Sequence, residues 1–553
     1  FPKLAIEFCL RHEGISRREI DYVVFYEKPL VKFERILMSN LATFPRSWRG
    51  FGEAMNLWFR EKMWIKSVLK RELGLNSEKV LFSDHHLSHA ASAFFASPFD
   101  ESAILTMDGV GEWSNATWGY GKASWTDGSE NKLVLSHEQR FPHSLGLLYS
   151  AFTAFLGFEV NEGEYKVMGM APYSHPRYID NIEKIMTVSK DGSIWLDMSY
   201  FSFHYSTQQT FTSKFVDLFG APRKPDSLFV TPMTDPSVHP SSSDVKQNQY
   251  YADIAASIQK VVEDTILTMV NAIVNETGSK RLCMAGGVAL NSAANGRILR
   301  ETPIEELFIQ PAAGDSGGAL GAALYVYHVL LSQPRKFVQE HSYWGEDLTP
   351  GSAKSFLDTN GIAYEEYEDE ERLCQLIVDE LQLRKVVGHA HGRFEWGPRA
   401  LGNRSILADP RVSDMKNIIN EKIKFREPFR PFAPAILEKN ASDYFNGLPE
   451  PQLQYPARYM LLVMPWKDQA GEGVPAVNHV GTGRLQTVRG DWNPRYNRLI
   501  ELFGEATGTP IILNTSFNLR GEPMVNTAAD AWNTFNNSGI DILILNNYVI
   551  RRP

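Results

Sequence analysis

Short apolar segments that end in Gly or Asp alternate with segments of helical periodicity along most of this chain. The segment "SAILTMDGVGEW" predicts a strand from Ala103 to Met107 that runs into Asp108, and "ATWGYGKA" predicts its hairpin partner. The segment "RLCMAGGVALNSAANGRIL" predicts a strand, a Gly-Gly turn and a helix, and "ELFIQP" predicts the next strand. Because this alternation is typical of α/β folds, we predict a mixed α/β architecture.

The length of the chain and two breaks in the pattern predict more than one domain. A chain of 553 residues is too long for a single core and predicts about two to four domains. The polar segment 203–250 predicts a long, partly irregular insertion, and residues 333–350 predict a linker between domains. An amphipathic helix is predicted from Tyr251 to about Val274, and the pattern restarts after the linker with a helix near Leu373 and a strand in "KVVGHAHG".

Composition narrows the class of protein. A net charge of −9 argues against a dedicated nucleic-acid binder, which is usually basic. The three cysteines, Cys9, Cys283 and Cys374, lie too far apart for a zinc finger and suit a reducing cytoplasm. The longest uncharged run, residues 316–334, predicts a buried core helix rather than a membrane span. We therefore expect a cytoplasmic protein without a nucleic-acid or membrane partner.

Four residues suggest a metal site. His85 and His89 are four residues apart in "DHHLSHAASAFF", a spacing that places both imidazoles on one face of a helix. Asp108 follows a predicted strand and Asp315 lies in a Gly-rich turn, positions that gather at the mouth of an α/β sheet. Two imidazoles and two carboxylates suit iron(II), manganese or zinc. Spacing alone leaves open whether the four converge, and an isolated pair of this kind is more often two ordinary histidines.

Glycine-rich turns suggest a phosphate or nucleotide contact. In "MAGGVALNS", Gly286 and Gly287 separate a strand from a helix start, where missing side chains and the helix N-terminus favour phosphate. Tight backbone packing explains the same glycines equally well. The segment "NEGEYKVMGMAPY" adds Lys166 between Gly163 and Gly169 as a second candidate for phosphate contact.

The second half of the chain contains the clearest local excess of positive charge. From Arg393 to Arg430 there are nine Lys or Arg and five acids, a net +4 in an acidic chain. The cations lie among turns and aromatic residues, as in "GRFEWGPRALGNRSILADPR" and "IKFREPFRPFAP". Arg484 and the cluster Asn514-Thr515-Ser516 add further anion-binding groups. This pattern predicts a site for a small anionic ligand rather than for a polyanion.

With these motifs assembled, the chain resembles the carbamoyltransferase family of NodU, CmcH and TobZ. The matching motifs occur in order over nearly the whole chain, and they are "DHHLSHAASAFF", "TMDGVGEW", "GEYKVMGMAPY", "GGVALNS", "GDSGGALG", "EWGPRALGNRSILADPR", "REPFRPFAPA", "GTGRLQTV" and "LNTSFNLRGEP".

The resemblance implies two domains and one activity. Residues 1–340 would form an actin/sugar-kinase-like (ASKHA) ATPase-fold domain, and residues 341–553 a YrdC-like α/β domain. The second domain would make carbamoyl-adenylate from carbamoyl phosphate and ATP, with Mg accompanying ATP. The first would transfer the carbamoyl group to a hydroxyl of a small natural product, such as an antibiotic, toxin or oligosaccharide. A homodimer is a further expectation.

The resemblance also implies a role for individual residues. The family's metal ligands, usually described as iron(II), match His85, His89, Asp108 and Asp315. The carbamoyl-phosphate and ATP-phosphate site matches Lys424, Arg430, Arg484 and Ser516, with Arg399, Arg404 and Asn514 beside it. The adenylate site of the first domain matches Lys166, Gly286, Gly287 and Asn291.

The start of the chain departs from the family pattern, and rival functions stay open. Family members have roughly fifty further residues before "FPKLAIEFCL", including a histidine that is a candidate general base, so we expect the N-terminal part of the first domain to be absent from this sequence. Two alternatives are a maturation-type carbamoyltransferase acting on a protein thiol and a non-catalytic nucleotide-binding homologue. A tRNA-modifying enzyme is disfavoured by the acidic balance.

Overall fold

A computed structural model describes residues 1–60, 62–235 and 237–552, and its architecture is mixed α/β, as predicted. A five-stranded sheet lies in the first half of the chain. Its strands, from one edge to the other, are Lys132–Arg140, Ser114–Lys122, Glu101–Met107, Arg281–Ala285 and Glu306–Ile309. The first three run antiparallel and the last three run parallel, so each strand predicted from sequence in this region is confirmed.

The second half of the chain forms a nine-stranded sheet of mixed direction. Its strands, in spatial order, are Glu365–Glu366, Tyr548–Arg551, Ile542–Leu545, Val387–Ala390, Arg404–Ala408, Ile511–Ser516, Ala433–Leu437, Thr482–Val488 and Leu462–Pro465. Two neighbouring pairs are parallel and the others antiparallel. The described residues also form three two-stranded sheets. They pair Val23–Phe25 with Val80–Phe82, Met186–Val188 with Ile194–Leu196, and Tyr343–Leu348 with Gly392–Glu395.

Helices cover both sheets. In the first half the α-helices are Lys3–Glu13, Pro29–Ala42, Trp48–Arg60, Ile65–Leu73, His85–Phe94, Leu145–Phe155, Glu164–Met170, Ile179–Glu183, Ser213–Phe219, Ser243–Thr277, Ser292–Glu301 and Gly318–Tyr325. In the second half they are Pro350–Thr359, Glu370–Gln382, Met415–Ile419, Ala441–Tyr444, Tyr455–Arg458, Pro494–Thr507 and Ala528–Asn536. The predicted helix near Leu373 and the strand in "KVVGHAHG" are both confirmed.

The predicted long helix extends further than its apolar periodicity indicates. It spans Ser243–Thr277, so its first turns lie within the segment predicted to be irregular. The prediction of an amphipathic helix is also incomplete, because every side chain from residue 251 to residue 259 is buried. Small residues such as Ala252, Ala255 and Ser257 occupy the faces between the large apolar residues, and this allows packing on all sides.

Two other predictions about organisation need correction. The predicted linker contains the strand Tyr343–Leu348, which pairs with Gly392–Glu395 and therefore belongs to the folded second half. The uncharged run forms the helix Gly318–Tyr325 and a following π-helical turn, but its outer face is exposed at Tyr327 and Leu330. Over residues 1–60, 62–235 and 237–552, no helix combines the length and apolar character needed to cross a bilayer.

The two halves pack directly on each other through one hydrophobic core. The helix Ser292–Glu301 lies against the strand Leu462–Pro465, and a Cβ atom on Gly296 would lie 2.0 Å from the carbonyl oxygen of Val463. Beside this contact, Asn295 donates from Nδ2 to the carbonyl of Leu461 at 3.0 Å. A residue without a side chain is therefore required where the helix of one half meets the sheet of the other.

The substitution Gly296→Ala tests this junction. We expect the free energy of unfolding to fall by about 1–3 kcal/mol, because the added methyl group forces the two backbones apart. The matched control is Gly351→Ala, in a helix where an added Cβ meets nothing within 4 Å. Urea denaturation and limited proteolysis of both variants give the measurement, and equal midpoints would contradict the tight contact.

Candidate functional site

The carboxyl ends of three adjacent parallel strands bring the first set of predicted residues together. Asp108 follows Glu101–Met107, Gly286 follows Arg281–Ala285, and Asp315 lies in the turn after Glu306–Ile309. Loops at the carboxyl ends of parallel strands meet at one edge of a sheet, which is where α/β proteins bind ligands. The position of Asp108 and Asp315 thus follows from the strand order.

The helix His85–Phe94 completes this cluster. His85 is its first residue, and its imidazole and that of His89 face the two carboxylates. The Nε2 atoms of the two rings are 3.1 Å apart, and they lie 3.0 and 3.2 Å from Oδ2 of Asp108. Oδ1 of Asp315 lies 3.5 and 3.6 Å from the same nitrogens. One ligand atom from each of the four residues falls within 4.8 Å of the others.

This geometry suits a bound cation. Two buried imidazole nitrogens that face each other need a proton or a cation between them, and the two carboxylates supply compensating charge. Burial acts to raise the pKa of Asp108, but hydrogen bonds from His85 and His89 outweigh it and hold this pKa well below its ordinary value. The neighbouring His86 differs, because its two ring nitrogens contact Thr106 and the carbonyl of Ser114 at 2.7 and 3.0 Å.

One side of the cluster is open. The two imidazoles are 1% exposed and Asp108 is 16% exposed, whereas the side chain of Asp315 is 56% exposed. An ion held by these four residues could therefore accept a further ligand from the side of Asp315. Such an open position is typical of catalytic rather than structural metal sites.

A buried carboxylate that the sequence did not single out lies behind His85. Oε2 of Glu27 is 3.7 Å from Nδ1 of His85 and 2.6 Å from Nζ of Lys32. At 3.7 Å this contact is longer than a hydrogen bond, so Glu27 acts on the imidazole of His85 through its charge. Glu27 follows the strand Val23–Phe25, so only the pairing of this strand with Val80–Phe82 brings it to the helix.

The predicted glycine turn packs beside Asp108. Gly286 has a φ of +93°, and a Cβ atom there would lie 2.1 Å from the carbonyl oxygen of Met107. The amide of Gly287 points to Oδ1 of Asp108 at 3.4 Å. Asn291 caps the helix Ser292–Glu301 through the amide of Ala294 at 3.2 Å and bonds Gln259. Tight packing thus explains Gly286, and Asn291 is engaged within the protein, so their nucleotide contacts stay predictions.

The cationic residues of the second half surround a separate cavity of about 120 Å³ at the junction. We call it the arginine cavity. Among the described residues, its lining has four arginines and no acidic side chain, and the residues used below are Arg399, Arg426, Arg430, Arg484, Asn514 and Ser516. Ala293, in the first turn of the helix that follows the glycine turn, lines it from the first half. The arginine cavity therefore adjoins the segment that contacts Asp108.

Two of the arginines in this cavity, Arg399 and Arg484, have no carboxylate partner among the described residues, whereas Arg430 lies 3.7 Å from Oε2 of Glu427. The Nε atoms of Arg399 and Arg484 are buried and have no hydrogen-bond partner within the described ranges. Burial, together with the charges of Arg399, Arg426 and Arg430, lowers the pKa of Arg484 well below its ordinary value. Clustered, unpaired guanidinium groups are unfavourable unless an anion joins them, so this cavity is suited to phosphate.

The loop that presents Arg399 is shaped by Glu395. Oε1 of this buried carboxylate accepts hydrogen bonds from the amides of Leu401, Asn403 and Arg404 at 3.0, 2.8 and 3.1 Å. The guanidinium of Arg404 donates to nearby main-chain carbonyls, including that of His391 at 2.7 Å, and does not line the arginine cavity. Arg404 thus organises the loop, and this geometry does not favour its predicted contact with phosphate.

Lys424 lies behind the cavity rather than in its lining. Its Nζ donates to Oγ of Ser516 at 3.2 Å and to the carbonyl and Oδ1 of Asn518 at 2.9 and 2.8 Å. Burial and the charges of Arg426 and Arg430 lower the pKa of Lys424 well below its ordinary value. These contacts position Ser516, which faces the cavity.

Two further placements concern Lys166 and Arg426. The Nζ of Lys166 forms a 2.9 Å ion pair with Glu427 of the second half, and its contact with an adenylate stays a prediction. Arg426, which was not among the predicted site residues, lines the arginine cavity. The cation density of "IKFREPFRPF" was the available signal for Arg426, but it did not separate lining residues from supporting ones.

Two family models match successive parts of this chain. Residues 1–324 match the family described as "Carbamoyltransferase N-terminus", and residues 378–552 match "Carbamoyltransferase C-terminus". A solved structure of HypF from T. kodakarensis is similar over 48% of this chain and 38% of its own, with 16% identity and a TM-score of 0.23, too low to establish a shared fold.

Three relatives align over most of the chain. The "Uncharacterized protein sll1178" of Synechocystis is 44% identical over the whole of this chain and 90% of its own length. The "Nodulation protein NolNO" of Sinorhizobium fredii is 35% identical over the whole of this chain and 74% of its own. The "Nodulation protein NolO" of Bradyrhizobium diazoefficiens is 34% identical over 85% of this chain and 79% of its own. The resemblance drawn from the motifs is thereby confirmed, and the chain belongs to the carbamoyltransferase family and is a carbamoyltransferase.

Proposed function

We propose that this carbamoyltransferase is ATP-dependent, forms carbamoyl-adenylate from carbamoyl phosphate and ATP, and transfers the carbamoyl group to a hydroxyl of a small natural product. The observation that best supports this proposal is the arginine cavity. Within the part of the chain that the structure describes, it is lined by four arginines and by no acidic residue, and it shares a wall with the first half. Carbamoyl phosphate and ATP are both anions that such a cavity would neutralise. The hydroxyl acceptor and the natural-product class rest on the family resemblance.

The arginine cavity is suited to the first reaction. Water would cleave carbamoyl phosphate to carbamate and phosphate, and a carbamate oxygen would then attack the α-phosphorus of ATP, with pyrophosphate as the leaving group. Arg399, Arg430 and Arg484 would neutralise the phosphate oxygens on which charge develops. Lys424 would hold Ser516 against the same anions through its contacts with Asn518. Mg bound to ATP remains part of this proposal.

The histidine–aspartate cluster is suited to the second reaction, attack of the acceptor hydroxyl on the carbamoyl carbon with AMP as the leaving group. His85, His89, Asp108 and Asp315 would hold the metal, and iron(II) is our first choice, with manganese and zinc as alternatives. A metal bound here would act as a Lewis acid toward the carbamoyl group or its leaving AMP. Asp108 would also orient the amide of Gly287 beside the reacting group.

The contact between the halves favours an internal route between the two reactions. The helix start at Ala293 lines the arginine cavity, and the turn just before this helix contacts Asp108. A labile carbamoyl-adenylate that moves along this turn would be protected from water. We assign the first reaction to a YrdC-like domain, residues 341–553, and the second to an ASKHA-type domain, residues 1–340. A cytoplasmic location and a homodimer remain expectations.

Isotope exchange between pyrophosphate and ATP tests the first reaction without an acceptor. We expect exchange that requires carbamoyl phosphate and falls about ten- to a hundredfold in Arg484→Ala, because a charge-assisted hydrogen bond is worth about 1.5–3 kcal/mol. Arg372→Ala is the control, since its side chain is 81% exposed. Metal-loaded wild-type protein that shows no exchange would overturn adenylation as the mechanism.

Metal binding by individual histidine variants tests the cluster. Wild-type protein should bind about one equivalent of iron(II) under anaerobic conditions, and His85→Ala plus His89→Ala should abolish binding. His86→Gln is the matched control, because His86 lies on the same helix but bonds Thr106 and Ser114. Elemental analysis after gel filtration gives the result, and metal that survives the double substitution would exclude this ligand set.

The substitution Glu27→Gln tests the supporting carboxylate. We expect metal affinity to fall about 10–100-fold while the fold is retained, because the substitution removes the negative charge behind the His85 ring. Glu112→Gln is the control, since Glu112 is also buried nearby but accepts from the main-chain amide of His85. Equal affinities of the two variants, measured by metal titration, would remove this role from Glu27.

A further inference from the structure

Exposed aromatic side chains are concentrated in one short part of the first half, residues 41–64. Two helices, Pro29–Ala42 and Trp48–Arg60, follow each other here. They pack through Phe33 and the buried Trp58, whose ring centroids are 5.7 Å apart. Beside this contact the chain presents a set of large apolar side chains that are each between 56% and 70% exposed: Leu41, Phe44, Trp48, Phe59 and Trp64. We call these five residues the aromatic face.

The members of the aromatic face are neighbours along the chain's surface. Trp48 and Phe59 are separated by about three helical turns, a spacing that places both on one side of their helix. At one end, the indole of Trp64 donates from Nε1 to the carbonyl of Phe59 at 2.8 Å. At the other end, the amide of Phe44 donates to the carbonyl of Leu41 at 3.4 Å in the turn before Trp48. A contiguous group of this kind marks an interaction surface, whereas single exposed apolar residues do not.

Basic residues surround the aromatic face. Residues 44–71 contain seven Lys or Arg and two Glu, a net +5 in a chain whose net charge is −9. Arg46 and Lys66 are exposed, and Lys66 shares one face of its helix, which begins directly after Trp64, with Lys70. Two glutamates cannot neutralise seven cations. The surface around the aromatic face is therefore positively charged, in contrast to the rest of the chain.

This combination fits the surface of an anionic bilayer. Helices that lie in a membrane interface present Trp, Phe and Leu on one side and carry Lys and Arg beside them. The aromatic rings enter the boundary between headgroups and acyl chains, while the basic side chains stay at the anionic headgroups. The remainder of the chain is acidic, so the same membrane would repel it. Attraction at one surface and repulsion elsewhere would orient the protein with the aromatic face toward lipid.

Charge argues against a second copy of this chain as the occupant. A contact with two-fold symmetry places the same surface patch of two protomers together. Here it would bring the basic residues of both copies close to each other, and like charges that face each other across an interface are unfavourable. An anionic lipid surface meets no such penalty, because it supplies the opposite charge.

We propose that the aromatic face docks this protein on an anionic lipid surface, as a peripheral contact in which side chains enter the interface and no helix crosses the bilayer. This inference does not depend on the proposed adenylation. The sequence-based expectation of no membrane partner concerned a spanning helix, and a surface contact needs none.

Sedimentation with lipid vesicles tests the proposal on the whole protein. Vesicles of phosphatidylcholine with about 30% phosphatidylglycerol should bind it at low salt, and vesicles of phosphatidylcholine alone should bind it roughly tenfold more weakly or less well still. Raising the salt to about 0.5 M NaCl should weaken binding to the anionic vesicles severalfold, because it screens the charges. Wild-type protein that does not bind the anionic vesicles would overturn the proposal and leave the aromatic face to an acidic protein partner.

Two double variants separate the apolar from the electrostatic contribution. Leu41→Ala plus Trp48→Ala removes two inserted side chains and should lower the affinity for anionic vesicles roughly tenfold or more. Lys66→Gln plus Lys70→Gln removes two charges and should lower it by a similar factor, with a weaker dependence on salt. Binding that is equal in wild-type protein and in both variants would show that another surface meets the lipid, and would overturn the proposal.

Controls exclude loss of folding and a second copy. Trp195→Ala is the matched control and should bind as wild type does, because Trp195 is 66% exposed but belongs to the strand Ile194–Leu196, outside the aromatic face. Circular dichroism should give the same melting temperature for every variant. In sedimentation velocity without lipid, a wild-type dimer that dissociates in Leu41→Ala plus Trp48→Ala would assign the aromatic face to a second copy and overturn the proposal.

Discussion

The close approach of the helix Ser292–Glu301 to the strand Leu462–Pro465 is the contact on which the functional arrangement depends. A hydrogen atom is the only side chain that fits at Gly296, because a methyl group would overlap the carbonyl of Val463. This approach brings the start of the helix, including Ala293, to the wall of the arginine cavity. A wider gap would move Ala293 away from the wall of the arginine cavity and separate this cavity from the turn beside Asp108. The junction is thus part of the functional site and not only a boundary between two folded units.

Unbalanced charge is the second constraint. Arg399 and Arg484 lie in a buried space whose lining has no carboxylate over residues 1–60, 62–235 and 237–552, which costs free energy until an anion enters. The histidine–aspartate cluster presents the opposite case, where two carboxylates and two ring nitrogens converge on a point that a cation would satisfy. The arginine cavity is thus suited to bind an anion, and the histidine–aspartate cluster is suited to bind a cation. Substrate anions and a metal ion would therefore stabilise the same geometry that they use.

Local sequence was sufficient for several elements. The strand before Asp108, its hairpin partner and the strand–turn–helix around Gly286 were predicted correctly, because each has a clear apolar period bounded by Gly or Asp. The linker was not, because a strand such as Tyr343–Leu348 has too little apolar alternation to be recognised without its partner. The length of the long helix was underestimated, because polar residues at its start precede the apolar period.

The sequence by itself determined the types of chemical group, since the paired histidines, the strand-end aspartates and the clustered arginines are visible in the order of residues. Only the tertiary structure decided which of them meet. It brought one ligand atom of each of His85, His89, Asp108 and Asp315 within 4.8 Å of the others, and it paired Lys166 of the first half with Glu427 of the second. It also turned Arg404 inward to main-chain carbonyls while Arg399 faces the cavity. The physical reason is that local periodicity reports which face of an element is buried, whereas side-chain partners distant in sequence are set by strand order and by the packing of the two halves.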